Sequence, residues 1–273
     1  PVYHPFAWVT TRNERTLVIN PLRWENGMYR MDLDAFREQI KGCKLFILCN
    51  PHNPGGVVWT EAELRAIADI CYDEKVLVFS DEIHADLTLP PHTHRPFVTV
   101  SEKARMNSVT FMSPSKAFNM PGLSASHALI FNEDLRKRFR IYMDAGELDM
   151  GHVFAFLSVE AAYSHGTEWL DQCLAYIQGN IDFVDEFLKK HAPKIKAIRP
   201  EASYLVWLDC RELELSQKDL NEFFVDKAHL ALNDGEMFGK EGIGFMRLNV
   251  ASPRCIIEKA MKQLADAYQL YIK

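Results

Sequence analysis

The chain has 273 residues and a formal net charge of −6, with 48% hydrophobic and 25% charged residues. This composition is typical of a folded globular protein with one large domain or two smaller ones. The slight acidic excess and the lack of a long basic run argue against a nucleic-acid-binding protein. No apolar run approaches the roughly 20 residues that a membrane-spanning helix needs.

The first half of the chain alternates between strand-like and helix-like patterns. Short apolar runs predict buried strands at residues 45–49, 76–79, 109–112 and 128–131. Helical spacing predicts helices at 61–74 and 134–143, and Thr60 with Glu63 forms a capping box before the first of them. Strands that alternate with helices indicate an α/β fold with a mostly parallel central sheet.

The second half is richer in helix and indicates a small C-terminal α+β domain. Its predicted elements are helices at 153–163, 168–191, 216–227 and 253–268 and strands at 203–208 and 245–249. We place the domain change inside the long helix, which gives a large domain at residues 1–170 and a small domain at residues 171–273.

The six cysteines form no C-x-x-C pair, and several lie in apolar stretches. Free, buried thiols in a reducing compartment are the simplest interpretation. We therefore expect a cytoplasmic protein without disulfide bonds.

Polar residues gather where the predicted strands end, and active sites of open α/β sheets lie at the carboxyl ends of strands. The clusters are residues 50–56 (NPHNPGG), 80–84 (SDEIH) and 113–116 (SPSK), with Arg247 inside the strand at 245–249. Taken singly, these features have structural explanations: a turn-rich loop, a helix cap, a solvated lysine and a structural ion pair.

Taken together, the clusters describe one chemistry. Pyridoxal 5′-phosphate (PLP) needs a lysine amine for its aldehyde and a carboxylate for its pyridinium nitrogen. It also needs a donor near its phenolic oxygen and hydroxyls or cations on its phosphate. An amino-acid substrate needs a bidentate cation for its α-carboxylate, and arginine suits that geometry. Lysine, aspartate, asparagine and arginine are all present in these clusters.

The motifs N-P-x-N-P-x-G, S-D-E-I-H, S-x-S-K-x-F-N and F-x-R-L-N occur here in that order. In these motifs the sequence resembles the fold-type I PLP enzymes of the class I/II aminotransferase family. It is more closely similar to their cystathionine β-lyase-like (C–S lyase) branch, over nearly the whole chain. The resemblance implies a PLP-binding large domain, an amino-acid substrate and a homodimer.

The resemblance also implies roles for individual residues at the cofactor. Lys116 would form the Schiff base with PLP and move the Cα proton, and Asp81 would pair with the pyridine nitrogen. Asn53 would donate to the phenolic oxygen, and Tyr3 would stack on the ring. His84 stands where many relatives have tyrosine, and it either approaches the same oxygen or packs beneath the ring.

Three more residues receive roles from the resemblance. Ser113 and Ser115 would bind the phosphate, Ser113 more than Ser115, and Arg247 would bind the substrate carboxylate. Relatives carry an upstream segment with a glycine-containing phosphate loop at a helix N-terminus and a tyrosine that reaches the partner subunit. We see no equivalent loop, and we expect that an N-terminal portion precedes Pro1.

Two other functions, a helicase and a metal site, have less support in the sequence. The string DEIH could belong to a helicase, but the chain has no G-x-x-x-x-G-K-[ST] phosphate loop. His84 with Asp86, or His92 with His94, could suggest a metal site, but no set of ligands has suitable spacing and we expect the latter pair to be solvated.

Within the family, the same residues serve β-elimination and transamination. No second arginine or lysine is obviously placed for a dicarboxylate side chain. This absence, together with the resemblance to the C–S lyase branch, favours elimination from cystathionine or cysteine conjugates, which yields thiol, pyruvate and ammonia. The alternatives are an aminotransferase and a non-catalytic, regulatory or inactive protein of the same fold.

Overall fold

The computed structural model describes residues 1–271. In chain order its elements are α1 (Pro5–Arg12), β1 (Arg23–Glu25), β2 (Met28–Arg30), α2 (Leu33–Gln39), β3 (Leu45–Cys49), α3 (Glu61–Asp73), β4 (Leu77–Asp81), α4 (Glu102–Met106), β5 (Ser108–Met112), β6 (His127–Leu129), α5 (Glu133–Ala145), α6 (Val153–His165), α7 (Thr167–His191), β7 (Lys196–Ile198), β8 (Leu205–Asp209), α8 (Gln217–Glu222), β9 (Asn233–Asp234), β10 (Phe245–Asn249) and α9 (Arg254–Tyr271).

One compact unit comprises Met31–Pro51 and Val58–Gln172 and is built on the sheet β3-β4-β5-β6. Strand β4 pairs in parallel with β3 and with β5, whereas β6 joins β5 antiparallel. Apolar residues fill the interior of the central strands, as Val78 and Val109 show. The predicted α/β fold with a mostly parallel sheet is confirmed, and every predicted strand of this half is present.

Helix α3 shows how local sequence sets the ends of these elements. The Thr60 hydroxyl accepts a hydrogen bond from the Glu63 amide at 3.2 Å, and the Glu63 carboxylate accepts from the Thr60 amide at 2.8 Å. This is the predicted capping box, which satisfies donors that a helix start leaves open. The helix buries the apolar face that the spacing predicted, namely Leu64, Ile67, Ala68 and Cys71.

A second compact unit comprises Pro1–Arg30, His52–Val57 and the chain from Cys173 onward. Its sheet has the order β7-β8-β10-β9, and all of its pairs are antiparallel. Trp207 of β8 lies flat against Phe245 of β10, with ring centroids 5.3 Å apart. The Trp207 indole donates to the Tyr29 hydroxyl at 3.2 Å, so its polar atom is satisfied in the core.

This division of contacts falls inside α7, but it differs from a simple split at residue 170. The first thirty residues and His52–Val57 group with the C-terminal part of the chain. The two-domain assignment therefore stays a prediction. The helix expected at 216–227 is α8 followed by a π-helical turn at Phe223–Lys227, which buries the adjacent side chains of Phe223 and Phe224.

We predict that Thr60→Ala lowers the free energy of unfolding by about 1 kcal/mol, because the Glu63 amide loses its acceptor. Urea unfolding followed by circular dichroism measures this difference. Thr60→Ser keeps the hydroxyl and should stay near wild type. Equal losses in both variants would contradict the role assigned to the cap.

Candidate active site

Asp81 is the last residue of β4, and its main chain is fixed on both sides. The Asn50 amide donates to the Asp81 carbonyl at 2.9 Å, and the next amide, of Glu82, donates to the Phe111 carbonyl at 2.9 Å. The Asp81 carboxylate accepts from the Ile83 amide at 3.2 Å. The sheet therefore positions this acid at the carboxyl end of its central strands.

The surroundings of Asp81 disfavour its charged form, so a positive partner would stabilise the carboxylate. Burial raises the pKa of the Asp81 carboxyl, since the charged form loses hydration, and the negative Glu82 adds to this rise. The Ile83 amide and the positive charge of Lys116 act in the opposite direction. Lys116 therefore lies close enough for its charge to affect the pKa of the Asp81 carboxyl.

The turn that carries Lys116 is held by two buried serines. The hydroxyl of Ser113 donates to the Ala125 carbonyl, and the hydroxyl oxygens of Ser113 and Ser115 lie 2.8 Å apart. The Ser115 amide also donates to the Ser113 hydroxyl oxygen, at 3.1 Å. Because a carbonyl can only accept, the Ser113 hydroxyl uses its one proton in the hydrogen bond to Ala125. The geometry therefore favours Ser115 over Ser113 as the hydroxyl that could turn towards a phosphate.

Aromatic residues that the sequence analysis did not assign to the site pack beside this turn. The ring of Phe118 stacks on Trp169 at a centroid distance of 5.9 Å and meets the edge of Tyr163 at 6.0 Å. The Tyr163 hydroxyl donates to the Asp86 carboxylate at 3.0 Å. These contacts link helices α6 and α7 to the segments on which Lys116 and His84 lie.

His84 is buried directly before the 3-10 turn Ala85–Leu87. Its role at the cofactor stays a prediction. Among residues 1–271 no cluster of His, Cys, Asp and Glu side chains could hold a metal ion. The expectation that His92 and His94 are both solvated is wrong for His94, whose imidazole lies 2.7 Å from the buried Glu82 carboxylate. His92 is exposed.

In the second unit, Arg247 of β10 is a half-buried cation without an acidic partner among the described residues. Its guanidinium donates to the Asn53 side-chain oxygen at 2.9 Å and to the Asn233 side-chain oxygen at 2.7 Å. It lies 4.6 Å from the ring centroid of Phe238. Its Nε atom is buried and makes no hydrogen bond. Burial lowers the pKa of Arg247, so a carboxylate ligand would restore lost stabilisation.

The contact with Arg247 also orients the amide of Asn53. A guanidinium can only donate, so it requires the side-chain oxygen of Asn53. The amide nitrogen is then the end that can donate to another acceptor, which is the role predicted for this residue. Tyr3, just before α1, acts to raise the pKa of Arg247 and partly offsets the effect of burial; its stacking on the cofactor stays a prediction.

The glycines of the loop at 50–56 are required by its shape. Gly56 has a φ of +67°, and a Cβ atom there would lie 2.5 Å from the side chain of Pro200. His52 in the same loop is buried, and this burial lowers its pKa to about 3. The loop therefore carries a neutral histidine at neutral pH.

Comparison with known proteins agrees with this geometry. The sequence pattern of the family described as aminotransferase class I and II matches residues 1–264. The chain belongs to this family.

Curated relatives include cystathionine beta-lyase PatB of Bacillus subtilis, 37% identical over 98% of this chain and 70% of that protein. Protein MalY of Escherichia coli is 32% identical over 98% of this chain and 68% of that protein. The crystal structure of cystalysin from Treponema denticola, which contains PLP, superposes with a TM-score of 0.95 at 34% identity, covering all of this chain and 70% of cystalysin.

The residues present fit the PLP of this family of aminotransferases. Asp81 is a half-buried carboxyl whose only hydrogen-bond donor among the described residues is a backbone amide, so a protonated pyridine nitrogen matches it in charge and in hydrogen bonding. Lys116 supplies the amine on a turn next to this acid. PLP bound here would serve as the electron sink for chemistry at the substrate Cα.

We predict that Asp81→Asn makes the cofactor-free protein more stable at neutral pH. A carboxyl with a raised folded-state pKa contributes stability below its unfolded pKa of about 3.9 and loses it as the pH rises through the folded value. Asparagine does not ionise, so the Asp81→Asn variant does not lose stability in this way as the pH rises. Thermal unfolding of both proteins between pH 4 and 8 measures the difference, and a wild-type protein that gains relative stability as the pH rises would contradict it.

We also predict that Gly166→Ala destabilises the protein, because it crowds the aromatic residues that pack beside the Lys116 turn. A Cβ atom there would lie 2.4 Å from the Phe118 ring and 2.5 Å from the Ala162 carbonyl. Overpacking of this kind costs about 1–3 kcal/mol, measurable by urea unfolding. Gly122→Ala is the matched control, since nothing lies within 4 Å of its added atom. Equal stability of the two variants would refute the packing argument.

Proposed function

We propose that this chain is a PLP-dependent C–S β-lyase, which converts a sulfur amino acid into a thiol, pyruvate and ammonia. The half-buried Asp81 carboxyl, which is fixed at the end of β4 and feels the charge of Lys116, is the observation that carries the cofactor assignment. The lyase assignment is supported by relatives named cystathionine beta-lyase at 32–37% identity. Aspartate aminotransferase of Bacillus subtilis is more distant, at 24% identity.

PLP bound here would withdraw electrons from the substrate Cα and so make the Cα–H bond acidic. Asp81 would hold a proton on the pyridine nitrogen, because the ion pair would offset the lost hydration of its own carboxylate. Lys116 would supply the amine that holds the cofactor and would then remove the Cα proton as a general base. Ser115 would bind the phosphate through its hydroxyl, and Ser113, whose hydroxyl donates to the Ala125 carbonyl, would hold the turn in place.

Arg247 and Asn53 act on the substrate and on the cofactor's oxygen. The guanidinium of Arg247 receives the α-carboxylate, and its hydrogen bonds to two asparagine oxygens fix the plane of the fork. Asn53 donates its amide to the phenolic oxygen, with Tyr3 over the ring and His84 near the same oxygen.

The reaction breaks the Cα–H and Cβ–S bonds and forms a Cα–Cβ double bond. The sulfur leaves with the bonding electrons and takes up a proton to become a thiol. Water then converts the unsaturated amino acid into pyruvate and ammonia. A substrate without a leaving group on Cβ would instead undergo transamination, which is the second candidate activity.

We further propose that the chain acts as a homodimer in the cytoplasm. Helix α5 and helix α6 expose several large apolar side chains to solvent, a feature typical of interfaces. They include Ile141, Tyr142, Phe154, Phe156 and Leu157, each at least 56% exposed. All six cysteines are free, which supports a reducing compartment. None of the described helices is long and apolar enough to cross a membrane.

We predict that Lys116→Ala abolishes both the yellow absorbance of the PLP-loaded protein and turnover of L-cystathionine, because the variant lacks the amine that we assign to the Schiff base. Absorbance spectra and a pyruvate assay measure the two effects. Lys218→Ala is the control, since its side chain is 84% exposed. Full activity in the Lys116→Ala variant would contradict the assignment of Lys116 as the lysine that binds PLP.

The choice between the two activities needs separate substrates. We expect pyruvate, ammonia and thiol from L-cystathionine. Rapid formation of glutamate from an amino acid with 2-oxoglutarate, without pyruvate from cystathionine, would identify an aminotransferase instead.

A further inference from the structure

The residue after Asp81 is a buried acid that the proposed mechanism does not use. The Glu82 side chain is fully shielded from solvent. Its carboxylate accepts from the Ser80 hydroxyl at 2.7 Å and from the Phe97 amide at 2.9 Å. Burying a carboxylate is costly unless hydrogen bonds replace its hydration. Glu82 is therefore held in place by donors from its own strand and from the loop after residue 90.

The third partner of Glu82 is His94. The His94 Nε2 atom lies 2.7 Å from the second oxygen of the carboxylate, and only 9% of the His94 side chain is exposed. The loop that carries His94 is also tied to β3, because the Asn50 side chain donates to the Arg95 carbonyl at 3.3 Å. Both bonds secure this loop against the carboxyl ends of β3 and β4.

The position of Glu82 links this network to Asp81. The Glu82 amide donates to the Phe111 carbonyl and the Asp81 carbonyl accepts from the Asn50 amide, so the peptide between the two acids is clamped to both neighbouring strands. Side chains alternate along a strand, which turns Ser80 and Glu82 to the face opposite Asp81. The hydrogen bonds of the Glu82 side chain therefore add a further anchor to this peptide, on the face opposite the Asp81 carboxylate.

Charge adds a second link between the two acids. The negative Glu82 disfavours ionisation of Asp81, whereas Asp81 must be anionic to hold a pyridinium nitrogen. A hydrogen-bond donor on the second Glu82 oxygen withdraws charge from that carboxylate. His94 thus lessens the repulsion that Asp81 experiences.

We propose that Glu82 and His94 form a positioning pair, which holds Asp81 at the end of β4 in the orientation that meets the pyridinium nitrogen of the cofactor. This inference rests on the proposed function. It assigns a role to His94, which touches neither cofactor nor substrate, and to the loop at residues 91–97 that carries it.

Two amide substitutions at residue 94 test the pair. The amide of glutamine reaches about as far as Nε2 of histidine, whereas that of asparagine stops near Nδ1. His94→Gln can therefore still donate to Glu82, and His94→Asn cannot. His92→Ala is the control, because His92 is exposed in the same loop. The full chain is titrated with PLP, and unfolding of the cofactor-free proteins is measured alongside.

We expect His94→Asn to weaken PLP binding about tenfold, as loss of one buried charge-assisted hydrogen bond implies, and His94→Gln to regain most of the affinity. The pH at which the lysine-bound chromophore changes colour should rise in His94→Asn, because a poorly held ring nitrogen withdraws fewer electrons. A merely structural role would lower the stability of the cofactor-free protein and leave affinity and colour change untouched.

The outcomes separate the two proposals. Wild-type affinity and colour change in His94→Asn would overturn the positioning pair and leave the proposed function intact. A wild-type chain that gains no PLP absorbance would overturn the proposed function, and the pair with it.

Discussion

A carboxylate loses part of its hydration when it is half-buried at the end of a strand, and the main chain of Asp81 is held in that position by hydrogen bonds to both neighbouring strands. Burial raises the pKa of the Asp81 carboxyl, whereas the Ile83 amide and Lys116 lower it. In the proposed function, a protonated pyridine nitrogen would stabilise the charged form of Asp81, and this ion pair would contribute to affinity for the cofactor.

Arg247 is in a comparable situation to Asp81, but its charge is positive. It is a half-buried guanidinium whose partners are two neutral amide oxygens and an aromatic ring. An aspartate or glutamate in place of those asparagines would stabilise the fold and block a substrate carboxylate. Sites of this kind give up stability for binding, and they stand out as local conflicts in an otherwise consistent structure.

The positions of Asp81 and Arg247 on their strands could be predicted from the sequence, because strand ends are easy to locate. Runs of apolar residues mark β3, β4, β5 and β10, and the polar residue that follows or interrupts each run is then placed at an edge or on a face. The partners of these residues could not be predicted in the same way. Asn233 meets Arg247 only through the pairing of β9 with β10, and β9 is too short to show any periodicity.

His94 illustrates a different limit. Its proline-rich surroundings indicate a solvated loop, yet the loop folds back so that its imidazole meets a buried acid. Elements such as α1, β1, β2 and β7 were not predicted from the sequence for a simpler reason. Elements of three to eight residues are too short to show a clear hydrophobic pattern. Long-range contacts decide both cases, and one sequence by itself does not reveal them.

The central claim is that Lys116 carries the cofactor beside Asp81. Borohydride reduction of the PLP-loaded chain, followed by proteolysis and mass spectrometry, locates the modified lysine directly. The account predicts a single pyridoxyl adduct on the peptide that contains Lys116. An adduct on another lysine, or none after saturation with PLP, would contradict it.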